Sequence, residues 1–238
     1  MKVSFRDGVF LTCFILTLGI TGSRDARAGD VHFFSGLGAF SVPVVSFAEA
    51  RFQTVVRQHF DYSCGSAAVA TMLTFHYDNP VSEEDVFTEM WENGDQEKIQ
   101  SEGFSLLDIK NYLEAHGYQA DGFRTSLDRI EEVNIPAIVT INTNGYRHFV
   151  VVKGIVDDEI VVGDPALGVK IYQREEFEAI LDNDVIFLIH SDREIANENF
   201  NDEQDWGVRT KAPFGTALSN EGLGLSTFSI LLPANNQF

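Results

Sequence analysis

The sequence predicts an α+β domain, and two observations carry that reading. Helical patterns fill the chain from Cys64 to about Asn134, and short β-branched segments bounded by turn residues follow from Pro136 to His190. Helices first and strands later indicate a helical half packed on an antiparallel sheet. With 238 residues and 44% hydrophobic content, the chain can build one domain with a real core plus extensions.

The elements follow in order. Residues 29 to 50 are apolar and contain glycine, and "VPVVSF" (42 to 47) suits an edge strand because of Pro43. From Cys64 to about Tyr77 the pattern is helical, and "DNP" (78 to 80) ends it. "SEEDVFTEMWEN" (82 to 93) reads as a second helix with Ser82 as N-cap and Val86, Phe87, Met90 and Trp91 on one face. "SLLDIKNYLEAHG" (105 to 117) reads as a third, capped by Ser105 and stopped by Gly117. "SLDRIEEVN" (126 to 134) suits a short fourth helix. "PAIVTIN" (136 to 142), "HFVVVKGI" (148 to 155), "EIVVGD" (159 to 164) and "DVIFLIH" (184 to 190) read as strands, with "REEFEAIL" (174 to 181) a helix between them. "SDREIANENFNDEQDWG" (191 to 207) is polar and expected to be irregular, while "LSTFSILLP" (225 to 233) suits one more strand.

The N-terminus has the pattern of an export signal. Lys2 and Arg6 precede the apolar stretch 8 to 20, which is too short to span a bilayer, and "ARA" (26 to 28) supplies the small residues a signal peptidase reads. Cleavage is expected after Ala28; a retained anchor is the alternative. The organisation expected is a signal peptide over 1 to 28, an N-terminal extension over 29 to 53, a domain over 54 to 190 and a C-terminal extension over 191 to 238. The expected location is the periplasm, with no membrane span after cleavage.

The formal net charge is −19; without residues 1 to 28 it is −21, with 13 basic and 34 acidic side chains. That surface repels a phosphate backbone, so nucleic acid is not expected as a partner. No Cys/His cluster has metal-ligand spacing, the acidic runs lack the spacing of a calcium loop, and neither a metal nor a cofactor is expected.

Signal cleavage leaves one cysteine, Cys64, where exported proteins normally pair theirs. It is a leftover, a site of intermolecular pairing, or a nucleophile. The first turn of a helix favours a thiolate through the macrodipole and free N–H groups, and Gly65, Ser66, Ala67 and Ala68 allow close approach. A buried inert thiol fits the local pattern equally well. Of His59, His76, His116, His148 and His190, only His148 opens an apolar strand; the other four suit solvated positions. Asp164 ends the strand returning from His148, although an aspartate before Pro165 also suits a plain turn. A regular hairpin turning at Asp157 and Asp158 would pair Asp164 with Val151, on the wrong face for His148. One extra residue, most simply a bulge near Gly154, moves the pairing to Val150 and brings the two side chains within diagonal reach, about 7 Å between Cβ atoms. Gln58, six residues before Cys64, carries an amide that suits an oxyanion donor.

Together, Gln58, "SCG" with its small-residue helix, "GYRHFVVVKG" and "GDPALG" resemble the bacteriocin-processing, double-glycine leader peptidases, a papain-like cysteine peptidase family. The resemblance covers roughly residues 50 to 190. It implies Cys64 as nucleophile, His148 as general base, Asp164 as its orienter and Gln58 as oxyanion donor. It also implies a helical lobe, with the Cys helix, packed on a curved antiparallel sheet bearing His and Asp. The chain lacks the Gly-x-x-x-x-Gly-Lys loop of the export ATPases that carry such domains. It therefore resembles the stand-alone exported subset, some of which accompany functional-amyloid (Fap) export systems in Gram-negative bacteria. The implied activity is cleavage of an exported polypeptide or its leader, after a Gly-Gly pair by family inference. Peptidyl transfer with the same trio, or a substrate-gripping module of an export system, are the competing readings.

Overall fold

The computed structural model describes residues 30–35, 38–43 and 46–208. The expected signal peptide, its cleavage site and the strand expected over 225 to 233 lie outside the described residues. Two compact units divide between Ser46 and Phe47. In the first, β1 (Asp30–Ser35) and β2 (Gly38–Pro43) form an antiparallel hairpin. The edge strand expected over 42 to 47 overlaps β2 only at Val42 and Pro43. Phe47 opens a short helix, α1 (Phe47–Ala50), instead.

The second unit begins with that helix. Its helical half holds α2 (Cys64–His76), α3 (Glu83–Asn93), α4 (Gln96–Glu102) and α5 (Leu106–Ala115). The remainder holds β3 (Ala120–Arg124), α6 (Leu127–Val133), β4 (Ala137–Thr143), β5 (Tyr146–Val156), β6 (Glu159–Asp164), β7 (Gly168–Gln173), α7 (Arg174–Ile180) and β8 (Leu181–Ile189). Two short helices close it, α8 (Arg193–Glu198) and α9 (Glu203–Trp206). The six strands form one antiparallel sheet in the order β3-β8-β4-β5-β6-β7.

The expected caps form. Ser82 accepts the Asp85 N–H at the start of α3, and Ser105 and Asp108 make a reciprocal capping box on α5. Gly117 takes φ +85° just past α5, and Asn134 ends α6 in the left-handed region. Helix α2 is buried on nearly every side, from Cys64 through Leu73 and again at His76. Small residues make that burial possible: a Cβ on Gly65 would come within 2.9 Å of Phe104 Cβ.

Helix α4 and strands β3 and β7 were not expected. Helix α4 buries only Ile99 and so has no apolar period to detect. Strands β3 and β7 are the two edges of the sheet, where less apolar sequence is needed than in the centre. A further correction concerns residues 191 to 207. The stretch is not irregular: it forms α8 and α9, and it buries Ala196, Phe200 and Asp205. His76 is the other correction. Expected to be solvated, it is fully buried at the end of α2, where its Nδ1 lies 3.0 Å from the Asn199 carbonyl.

The sheet is covered on both faces. Phe149 and Val151 of β5 join Cys64, Val69, Met72 and Leu73 on the α2 side. Val150, Val152 and Ile155 join Ile160, Val162 and Phe177 on the other. Alternation therefore breaks between Val152 and Ile155. The register breaks with it: Val152 pairs with Val162, but Gly154 pairs with Val161, so Lys153 is an extra residue. This is the bulge that bringing Asp164 to His148 requires.

Candidate active site

The site starts at the loop before α2. Ser63 is the N-cap residue, but its hydroxyl does not cap. It accepts the Phe60 N–H at 3.1 Å and donates to the Phe60 carbonyl at 3.0 Å. The first N–H groups of α2 thus keep free of a side-chain cap, and those of Cys64 and Gly65 act on the Cys64 sulfur. Glu83, itself buried, braces this loop: it lies 2.6 Å from His59 Nδ1 and 3.1 Å from the Ser66 hydroxyl.

Cys64 is buried and meets the sheet at β5, where the N–H of Phe149 points at the thiol. Burial raises the thiol above its ordinary value. The N–H groups of Phe149, Gly65 and Cys64 act against that rise, and the negative charge of Asp164 adds to it. Burial thus favours the protonated sulfur, and ionising it calls for a proton acceptor.

His148 precedes Phe149 in β5. Its Nε2 is 3.1 Å from Asp164 Oδ2, and both side chains are buried. An ionised carboxylate only accepts, so Nε2 carries a proton, and in the neutral imidazole Nδ1 presents its lone pair. That Nδ1 is buried with no hydrogen-bond partner among the described residues. In its neutral form the imidazole is therefore the tautomer of a base.

Asp164 serves two functions with two oxygens. Oδ2 holds His148, while Oδ1 accepts the N–H groups of Ala166 at 2.8 Å and Leu167 at 3.1 Å. The plain turn aspartate and the imidazole partner are the same group. Burial alone would raise its carboxyl, but the hydrogen bond and charge of His148, with those two N–H groups, outweigh burial and hold it below the usual range.

Gln58 is fixed to the same turn, its N–H donating to the Pro165 carbonyl at 3.0 Å. Its Nε2 donates to the Phe60 carbonyl at 2.9 Å, and its Oε1 is buried without a partner among the described residues. The amide also interacts with the Tyr146 hydroxyl. As a donor to a developing oxyanion it would have to leave the Phe60 carbonyl.

Sequence reasoning missed Tyr146. Its ring lies 5.1 Å from that of His148, and its hydroxyl donates to the Asp61 carbonyl at 3.0 Å, linking β5 to the loop before Cys64. The signal was in "TNGY". Asn144 and Gly145 take φ +54° and +89°, the two-residue turn that Asn-Gly favours, and Thr143 pairs with Tyr146 across it. That turn fixes where Tyr146 and His148 stand.

Comparison with known proteins finds relatives of the segment that carries this arrangement. The model of the peptidase C39 family matches residues 53–193. A protein of Pseudomonas aeruginosa named "Probable functional amyloid protease FapD" is 42% identical over 165 residues, 68% of this chain and 73% of the relative. A protein of the same name from Pseudomonas fluorescens is 41% identical over 146 residues, 61% of this chain and 64% of the relative. Among solved structures, the peptidase domain of Streptococcus ComA, a bi-functional ABC transporter involved in quorum sensing, is 20% identical with a TM-score of 0.48, covering 57% of this chain and 96% of that domain.

Proposed function

The chain belongs to the peptidase C39 family of cysteine peptidases, and on that premise we propose that it is a periplasmic endopeptidase cleaving an exported polypeptide of a functional-amyloid system. Cys64 is the nucleophile, His148 the general base, Asp164 its orienter, and Gln58 with the Cys64 N–H the oxyanion donors. The observation that carries this reading is the 3.1 Å contact between His148 Nε2 and Asp164 Oδ2, which leaves Nδ1 free beside the strand residue that meets the thiol. His148 Nδ1 accepts the Cys64 proton as the sulfur attacks a peptide carbonyl. The protonated imidazole then gives that proton to the leaving amine, and water hydrolyses the acyl-enzyme. The Cys64, Gly65 and Phe149 N–H groups oppose the cost of forming sulfur anion in a buried site.

The substrate is an extended segment of an exported protein, with a Gly-Gly pair before the cut. The relatives' name supports an amyloid component as that protein. The test is to express Cys64→Ala in the native host and follow the exported polypeptides. The expected result is an uncut precursor that co-purifies with a folded variant; normal processing in that strain would reject the mechanism.

A further inference from the structure

One buried charge on β5 has no part in this chemistry. Lys153 is the extra residue of the bulge, and its side chain is 1% exposed. Its Nζ donates to the Thr54 carbonyl at 2.7 Å and to Asp205 Oδ1 at 2.6 Å, and it lies 5.3 Å from the centre of the Phe75 ring on α2. The Thr54 hydroxyl donates to the same Asp205 oxygen. The Lys153 carbonyl, displaced from the ladder, accepts the Asn201 N–H at 3.0 Å. The next residue, Gly154, permits that close approach: a Cβ there would stand 2.3 Å from Asn201 Oδ1 and 3.1 Å from Asn201 Cα. Gly163, across the strand, leaves room for the lysine stem, since a Cβ there would stand 3.0 Å from Lys153 Cδ.

The contacts of Lys153 are made by the extra residue of the bulge. The pairing of Gly154 with Val161, carried on without a shift, would set Val151 opposite Asp164. The observed pairing of Val151 with Gly163 sets Val150 there instead, which turns Asp164 to His148. A slip by one residue would pull the ammonium from Asp205 and turn the carboxylate from the imidazole together.

We propose that Lys153 is a positioning residue for the His148–Asp164 pair: held by Thr54 and Asp205, it locks the bulge whose register delivers Asp164 to His148, and so makes residues 201–205 part of the working site. This rests on the peptidase reading for its functional meaning, but not for its test.

The test is the tautomer of His148, read from imidazole ¹⁵N shifts in the full chain. Asp164→Ala, which removes the acceptor, sets the scale by depleting the form protonated on Nε2. Lys153→Met is expected to produce at least half of that depletion. Ile109→Ala, which loosens the α5 core elsewhere, is expected to lower the melting temperature and leave the tautomer unchanged. If Lys153→Met lowers the melting temperature with the tautomer intact, the lysine is a stability residue only and the proposal is overturned. Should Lys153→Met fail to fold, the double variant Lys153→Met with Asp205→Leu, which removes the lock and leaves no unpaired charge, is read by the same criterion. Activity does not enter this measurement, so a failure of the peptidase assignment would leave its result unaffected.

Discussion

Two buried charge pairs sit five residues apart on β5, and they are built differently. Lys153 is matched on its ammonium by Asp205 and the Thr54 carbonyl, and Asp205 is matched in turn by the Thr54 hydroxyl. His148 is matched on one nitrogen, and the other has no partner among the described residues. A closed pair holds structure in place, whereas an open one leaves a lone pair for chemistry. The difference teaches which of two neighbouring ionisable clusters is a scaffold and which is a site, from hydrogen-bond accounting alone.

The comparison breaks most visibly at the open pair. Asp164→Ala should reduce kcat by about 10,000-fold, because nothing then holds the imidazole in its tautomer or balances its cation. Unfolding in urea should show a folded protein. A kcat within tenfold of the parent would remove Asp164 from the mechanism.

At the closed pair the larger effect is on stability. Lys153→Met strands the Asp205 carboxylate in the interior, which typically costs about 3 to 5 kcal/mol. Adding Asp205→Leu should recover most of that loss, because an apolar pair needs no partner. A double variant no more stable than the single one would mean the pair contributes through shape and not through charge.

The smallest effect sharpens the boundary between the clusters. Burial pushes His76 down to about 3, with the positive charge of Lys153 adding to the shift. The unfolded chain binds a proton near the ordinary histidine value, so as pH falls from about 6.5 toward 3 the unfolded state gains protons that the folded state refuses. Stability is therefore full above that window and falls through it, by roughly one kcal/mol per pH unit from this group. His76→Gln should flatten that part of the stability profile measured by urea denaturation, while an unchanged slope would mean His76 is protonated in the folded protein.

Much of the site was legible because its constraints are local or arithmetic. The cap serines and Gly117 marked helix ends, and the α2 sequence matched a buried helix. With Asp164 taken as the partner of His148, the need for one extra residue near Gly154 followed from parity. What the sequence hid lies in contacts between distant segments. Nothing near His76 announces Asn199, and nothing near Lys153 announces Asp205 or Thr54. The polar composition of 191 to 207 masked a segment that docks through Ala196, Phe200 and Trp206 and through the buried Asp205. Edge strand β3, which buries only Ala120, was missed for a related reason. The open nitrogen of His148 was not legible either: parity places Asp164 within reach but does not say which nitrogen it takes.

The central claim is that His148 accepts the proton of Cys64, and the rate of Cys64 alkylation tests it most directly. Iodoacetamide modification would be followed at pH 7 by mass spectrometry of the Cys64 peptide, in the parent and in His148→Ala. Modification is expected to be at least tenfold slower in the variant, because the buried thiol loses its base while its access is widened. Equal or faster modification in His148→Ala would contradict the claim.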